Sequence, residues 1–260
     1  MTDDLWVQRR VHELSVAFTF LTRLPVNHAA PIGKGELSAA LWCAPLVGIA
    51  VGLMGAFVYW LAQALNVPTL PAAALAVAAT VLVTGALHED GLADVADGFG
   101  GGGTRERKLE IMRDSRIGTF GVCALILSFM LRVSALTNLG DPGLVTIVLI
   151  AAHAAARAPI AAFMRRVPAA REDGMSADAG RPPQASAAAA ILLGLVPLTM
   201  ALGFGAGAVA VALLAAGFVF MAWLCKRQIG GQTGDVLGAL EQIGEIVVLL
   251  VAAAAASTLR

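Results

Sequence analysis

The sequence predicts an all-α, polytopic membrane helix bundle of about seven transmembrane helices, preceded by an N-terminal interfacial helix. Three observations predict it. Of 260 residues, 58% are hydrophobic and 14% charged, against roughly 45–50% and about 25% in soluble chains. Several apolar runs approach the ~20 residues that cross a bilayer as a helix, and a helix satisfies its own backbone where lipid offers no partners. Lys and Arg, finally, gather in alternate loops.

Residues 5–24 have helical period with Leu14, Ala17, Phe18 and Leu21 on one face and Arg9, Arg10 and Glu13 elsewhere. That stretch is too short and too charged to span, so it is expected to lie in the interface. Its acidic start and early arginines do not read as a cleavable signal. Pro25 to Gly35 reads as a linker. The expected spans are 37–65, 70–87, 120–138, 143–163, 186–203, 206–224 and 237–258. The 186–224 block is too long for one span, and Gly203, Gly205 and Gly207 offer a hairpin in its middle. The whole of 1–260 is expected to form one membrane domain, with 1–36 as interfacial helix and linker and 37–258 as the bundle.

Under this division fifteen of the 18 Lys and Arg residues fall on one side. They are Arg9, Arg10, Arg23 and Lys34; Arg105, Arg107, Lys108, Arg113 and Arg116; Arg165, Arg166, Arg171 and Arg181; and Lys226 and Arg227. The opposite loops, 66–69, 139–142 and 204–205, carry none. The basic side is expected to be cytoplasmic, the bilayer being the inner membrane. Arg132 and Arg157 fall inside spans, and Arg260 is the last residue. A formal net charge of zero argues against a nucleic-acid partner. Cys43, Cys123 and Cys225 are spaced like neither a zinc site nor a disulfide framework.

The chemistry concentrates in His88-Glu89-Asp90-Gly91-Leu92-Ala93-Asp94-Val95-Ala96-Asp97-Gly98. Asp90, Asp94 and Asp97, four and three apart, share a helix face and repel one another. A hard divalent cation such as Mg2+ offsets that repulsion, because it prefers carboxylate oxygens. The ordinary alternative is a solvated acidic turn, against which Leu92, Ala93, Val95 and Ala96 look packed. Gly100 to Gly103 offer backbone N–H groups to a phosphate, although a flexible linker is the commoner use of such a run. Arg113 and Arg116 suit phosphate oxygens, and topology alone would also place them there. His153 and Arg157 share a face of span four, where ionisable groups usually look into the bundle or a cavity; near the span's end Arg157 can also snorkel. Asp235 opens span seven, where a helix cap is the ordinary reading, and Glu241 and Glu245 follow at a spacing of four.

These residues resemble the cobalamin synthase, or adenosylcobinamide-GDP ribazoletransferase, family. The resemblance runs over nearly the whole chain. It rests on Phe20-Leu21-Thr22-Arg23-Leu24-Pro25, the His88 to Gly98 segment, Met112-Arg113-Asp114-Ser115-Arg116-Ile117-Gly118, Arg171-Glu172-Asp173-Gly174 and Thr233-Gly234-Asp235-Val236-Leu237-Gly238. Glu89 stands where an apolar residue is expected and reads as a spectator. The resemblance implies an enzyme that joins adenosylcobinamide-GDP to alpha-ribazole or its 5'-phosphate. The products would be adenosylcobalamin or its 5'-phosphate, and GMP. Mg2+ on Asp90, Asp94 and Asp97 would hold the diphosphate, and Arg113, Arg116, Arg157 and Asp235 would complete the substrate site. One carboxylate would take the hydroxyl proton; spacing does not say which. A CDP-alcohol phosphotransferase is a weaker reading, because Asp90-Gly91-Leu92-Ala93 is followed by Asp94 rather than Arg. A transporter is another, although the acids lie at span ends and no internal repeat is visible.

Overall fold

The structure is a computed structural model that describes residues 2–26, 32–33 and 35–257, with side chains from Leu5 onward. Lys34, Arg260, most of the expected linker and the last residue of span seven lie outside the described residues. No strand occurs among them, only an isolated bridge between Ala169 and Gln232.

Helix α1 (Thr2–Leu21) is amphipathic. Ala17 and Leu21 are buried, with Leu14 and Phe18 of the same expected face packed beside them. The exposed Leu5, Trp6, Val7 and Val11 suit a lipid interface. Glu13, expected away from that face, is buried, because Trp42 donates to it at 2.7 Å and Arg9 and Arg10 close over it at 3.0 and 2.6 Å.

The first span is continuous through α2 (Glu36–Ala40), a tight 3-10 turn (Leu41–Cys43) and α3 (Ala44–Ala64). Helix α4 (Thr69–Thr84) follows, ending three residues earlier than expected. Gly85 and Ala86 then both adopt left-handed backbone (φ 65° and 59°), and α5 (Leu87–Gly101) departs at 91° to α4. The acidic segment therefore runs across the end of the bundle rather than continuing the span. For Ala86 that conformation is uncommon and costly; the Val83 carbonyl at the bend accepts from Arg23 N at 2.7 Å, which ties the bend to the end of α1.

A short α6 (Arg105–Ile111) leads to α7 (Thr119–Leu139), α8 (Pro142–Arg157) and α9 (Ile160–Arg166). After α10 (Met175–Ala179) comes α11 (Gln184–Ile229), 46 residues interrupted by Gly203 (φ 68°, ψ −177°). Uninterrupted, it would reach roughly 69 Å, far beyond the ~30 Å hydrocarbon core. A Cβ on Gly207 would stand 3.7 Å from the Cα of Thr199, whereas eight residues of straight helix separate such positions by roughly 12 Å. The chain thus doubles back at Gly203, where the hairpin was expected. Helix α12 (Gly234–Ser257) closes the fold. Among the described residues five helices are long and apolar enough to cross a membrane, or six with the bent α4–α5 pair; resolving α11 into its two arms gives the seven expected segments.

Helices α8–α9 and α12 are central, with 72% and 67% of their apolar stretches buried, while α7 and α11 are peripheral at 28% and 17%. Gly48 and Gly52 let α3 touch the α8 backbone: a Cβ on either would come within 2.2 Å of the His153 oxygen or 2.6 Å of the Leu149 oxygen. This is the small-residue contact that compensates for the weak hydrophobic drive between helices in lipid. The large exposed apolar side chains, among them Phe57, Trp60, Leu82 and Phe204, form the surface a bilayer would cover.

Candidate active site

Helices α5 and α12 cross at two glycines. A Cβ on Gly91 would meet the Asp235 oxygen at 2.7 Å, and one on Gly238 would meet the His88 backbone at 3.2 Å. The crossing sets Asp90 and Asp94 of α5 beside Asp235 at the head of α12. Asp94 is partly buried and its carboxyl is pushed up to about 7, first by desolvation and then by the charges of Asp235, Asp90 and Asp97. Thr233 donates to Asp235 at 3.0 Å, and Arg171 approaches the same oxygen at 3.9 Å. Three hard oxygen donors with one distant cation among them are a suitable donor set for Mg2+.

Asp97 is occupied differently. Its two oxygens accept from Gly118 N at 2.6 Å and Gly121 N at 2.9 Å, so it caps the N-terminus of α7 from another helix. Side chains at 118 or 121 would lie 2.5 or 2.4 Å from those oxygens. The Asp-Ser-Arg-Ile-Gly run is therefore partly a seat for Asp97. The four-glycine run is not a free phosphate loop either. Gly100 and Gly101 belong to α5, Gly100 has the Phe120 ring 2.8 Å from its Cβ position, and Gly102 packs on Lys108.

The arginines separate in the same way. Arg113 borders the aspartates and forms a two-oxygen pair with exposed Asp173 at 2.6 and 2.7 Å. Arg116 is almost fully exposed and pairs with Asp114, whose carboxyl it pulls down to about 2. Arg157, expected to face substrate, is 1% exposed and joined to Glu241 at 2.5 Å. It belongs to a buried network that sequence spacing left unassembled. Arg132 bridges Glu89 (3.1 Å) and Glu245 (3.2 Å), Gln242 reaches Glu89, and His153 and His88 lie beside Glu245 and Glu241. Glu89 is thus a member of this buried network, tied to Arg132 and Gln242. Ligand atoms of His153, Glu241 and Glu245 lie within 4.8 Å of one another, but the two guanidiniums already claim those carboxylates, which disfavours a metal there.

Arg171 was absent from the expected site. It is positioned by a small two-loop clamp, in which Gln232 N bonds the Pro168 oxygen, Ala170 N bonds the Gln232 oxygen, and Arg105 reaches both Ile229 and Ala170 carbonyls. Its place in the Arg171 to Gly174 run was the available signal. Two cavities flank α5. One, about 450 Å³, holds Asp90, Asp94, Arg113, Asp114 and Ser115 at its wall. The other, about 110 Å³, is walled mainly by Leu, Ile, Met and Phe side chains with Asp90 and Asp235 at one end. Asp90 borders both.

A profile of the family described as cobalamin-5-phosphate synthase matches residues 13–253. The chain belongs to this family. Three similar proteins are each named adenosylcobinamide-GDP ribazoletransferase. That of Bradyrhizobium diazoefficiens is 57% identical over 95% of both chains. The Mesorhizobium japonicum protein is 50% identical over 95% of this chain and 94% of its own, and that of Azorhizobium caulinodans 44% over 93% and 95%. No solved structure matches. Membership sets aside the CDP-alcohol and transporter readings. It also bears out an all-α membrane enzyme of cobalamin biosynthesis.

Proposed function

We propose that this protein joins adenosylcobinamide-GDP to alpha-ribazole or its 5'-phosphate, forming adenosylcobalamin or its 5'-phosphate and releasing GMP. The observation that carries the reading is the 57% identity over 95% of both chains to a protein of that name. The geometry agrees, with Asp90 bordering two adjacent cavities as a two-substrate transfer requires.

In the reaction a ribose hydroxyl oxygen forms a bond to the phosphorus carried by cobinamide. The bond from that phosphorus to the oxygen of GMP breaks, and the hydroxyl proton is lost to a base. Phosphoryl transfer of this kind depends on positioning and charge stabilisation. Asp90 is the carboxylate placed to take the proton, since it alone among the three aspartates borders both cavities. Arg113 can exchange its exposed partner Asp173 for a phosphate oxygen, and a planar guanidinium suits that contact. Arg171 orients Asp235.

Asp90, Asp94 and Asp235 would hold Mg2+, with Asp97 anchoring the helix that carries the first two. When bound, the ion would supply charge stabilisation to the diphosphate and the departing GMP. The crowding that drives the Asp94 carboxyl to about 7 supports a cation at this place. The basic loops favour an inner-membrane setting with the aspartates facing the cytoplasm. GMP release by the detergent-solubilised protein tests the reading. Chelation is expected to abolish it and Mg2+ to restore it; full turnover after rigorous chelation would remove the metal from the proposal.

A further inference from the structure

The two cavities beside Asp90 differ in kind, and that difference assigns the substrates. We infer that the smaller, apolar cavity between α1, the first span, α9, α10 and α12 is the subsite for the heteroaromatic base of the ribazole, an assignment that rests on the reaction proposed above. Its wall includes Leu37, Leu41, Ile160, Met164 and Ala179. Polar atoms are confined to His88, Ser176 and the end where Asp90 and Asp235 stand. An apolar enclosure with a few convergent polar groups is the ordinary form of a small-molecule site.

The choice of occupant follows from size and polarity. A corrin macrocycle cannot enter about 110 Å³. An apolar cavity of about 150 Å³ accommodates a benzene ring, so the scale here is that of a flat aromatic group. The space widens past Phe20, Leu37, Met175 and Ala179, which also border a neighbouring volume of about 310 Å³, leaving room for a second fused ring. Guanine is disfavoured, because its several donors and acceptors would be buried against Leu and Met without partners. An alkylated benzimidazole-type base has no N–H once joined to ribose and loses little there. With the base in this cavity, its ribose emerges between Asp90 and Asp235. A ribose hydroxyl then lies against Asp90, and the diphosphate occupies the larger cavity on the other side, at the part of its wall formed by Arg113 and Ser115. The nucleophile and the phosphorus so meet across Asp90, with little left to orient at the moment of transfer.

The test fills or enlarges the cavity and reads each substrate separately. Ala179→Leu adds branched bulk to the wall; Leu41→Ala removes it. Ala179→Leu is expected to raise the KM for alpha-ribazole by about ten-fold or more while the KM for adenosylcobinamide-GDP stays unchanged. Calorimetric binding of alpha-ribazole to the purified protein should weaken in parallel, with thermal unfolding confirming an intact fold. Leu41→Ala is expected to accept a base with bulkier ring substituents that the wild type rejects, a gain that misfolding cannot produce. Undiminished alpha-ribazole binding in folded Ala179→Leu, or a shift confined to the corrinoid nucleotide, would overturn the assignment. Absence of GMP release by the wild type would instead sink the proposed reaction, while the binding measurement still decides the cavity.

Discussion

Glu89 and Asp90 are consecutive in the chain and are held differently. Glu89 is 5% exposed and bonded to Arg132, touching only the larger cavity; Asp90 borders both cavities and forms no ion pair among the described residues. The contrast extends to the groups around them. The inner network sets Glu89, Glu241 and Glu245 against Arg132 and Arg157, with His88 and His153 alongside. In the outer group of Asp90, Asp94 and Asp235, the one ion pair among the described residues is the long one from Arg171 to Asp235, at 3.9 Å. Burying a charge is costly unless it is paired, so the inner carboxylates are matched by guanidiniums and hold helices α5, α7, α8 and α12 together. The outer ones remain crowded, and crowded like charges at a cavity rim are a place for a ligand.

The largest effect expected is from Arg132→Met. It leaves Glu89 and Glu245 buried without their guanidinium, a change of about 3–5 kcal/mol, and thermal unfolding in detergent should show the loss together with lost GMP release. Glu89→Gln is expected to be mild by comparison. Formally the network holds three carboxylates against two guanidiniums, and Gln evens the balance while keeping an acceptor for Arg132. A severe Glu89→Gln phenotype would show that the inner group needs its full charge. Next in size, Asp90→Asn and Asp94→Asn are expected to lower turnover by about 100-fold or more with unfolding temperature unchanged or raised, since each relieves repulsion. If both variants turn over normally, the outer group is not the site.

Much of this contrast could be seen in the sequence, and its limits are physical. Hydropathy and basic loops suffice for seven segments and for the reversal at Gly203, because both depend on local composition. The helical spacing of Asp90, Asp94 and Asp97 correctly indicates one face, but a face does not reveal what lies across from it. Asp97 meets the start of α7 and Asp94 meets α12, and those partners are 21 and 141 residues away. The part Glu89 plays was hidden for the same reason: Arg132 and Gln242 come to it from two other helices. Arg157 and Glu241 were each conspicuous as charges within spans, yet only packing pairs them. Gly91 and Gly238 stood in the sequence only as members of two motifs; their use, to let α5 and α12 touch at the site, needs both helices in view.

Asp97 sharpens the comparison, because its spacing groups it with Asp90 and Asp94 while its bonds group it with structure. Asp97→Asn keeps one acceptor oxygen and loses the charge that favours a helix N-terminus. The expected cost is about 0.3–1 kcal/mol in stability, the opposite sign from Asp94→Asn, with a smaller fall in turnover. A raised unfolding temperature in Asp97→Asn would place it with the ligand group after all.

The smallest effect is a dependence on pH in metal-free protein. The Asp94 carboxyl rises from 3.8 to about 7 on folding, so the folded state binds its proton more tightly than the unfolded chain does. The sign follows from linkage: between these two values stability falls as pH rises, and above about 7 the full penalty is present. In chelator, lowering pH from 8 to 6 should therefore raise the unfolding temperature of the wild type relative to Asp94→Asn. Other groups titrate over the same range, and the difference between the two proteins removes those that both share. Saturating Mg2+ should shrink that difference, because a bound cation holds the carboxylate ionised and offsets the repulsion from Asp90 and Asp235. If the wild type and Asp94→Asn instead follow the same pH curve in chelator, the carboxyl is not crowded in the folded protein. The electrostatic distinction between Asp90's group and Glu89's network would then fail at its outer end.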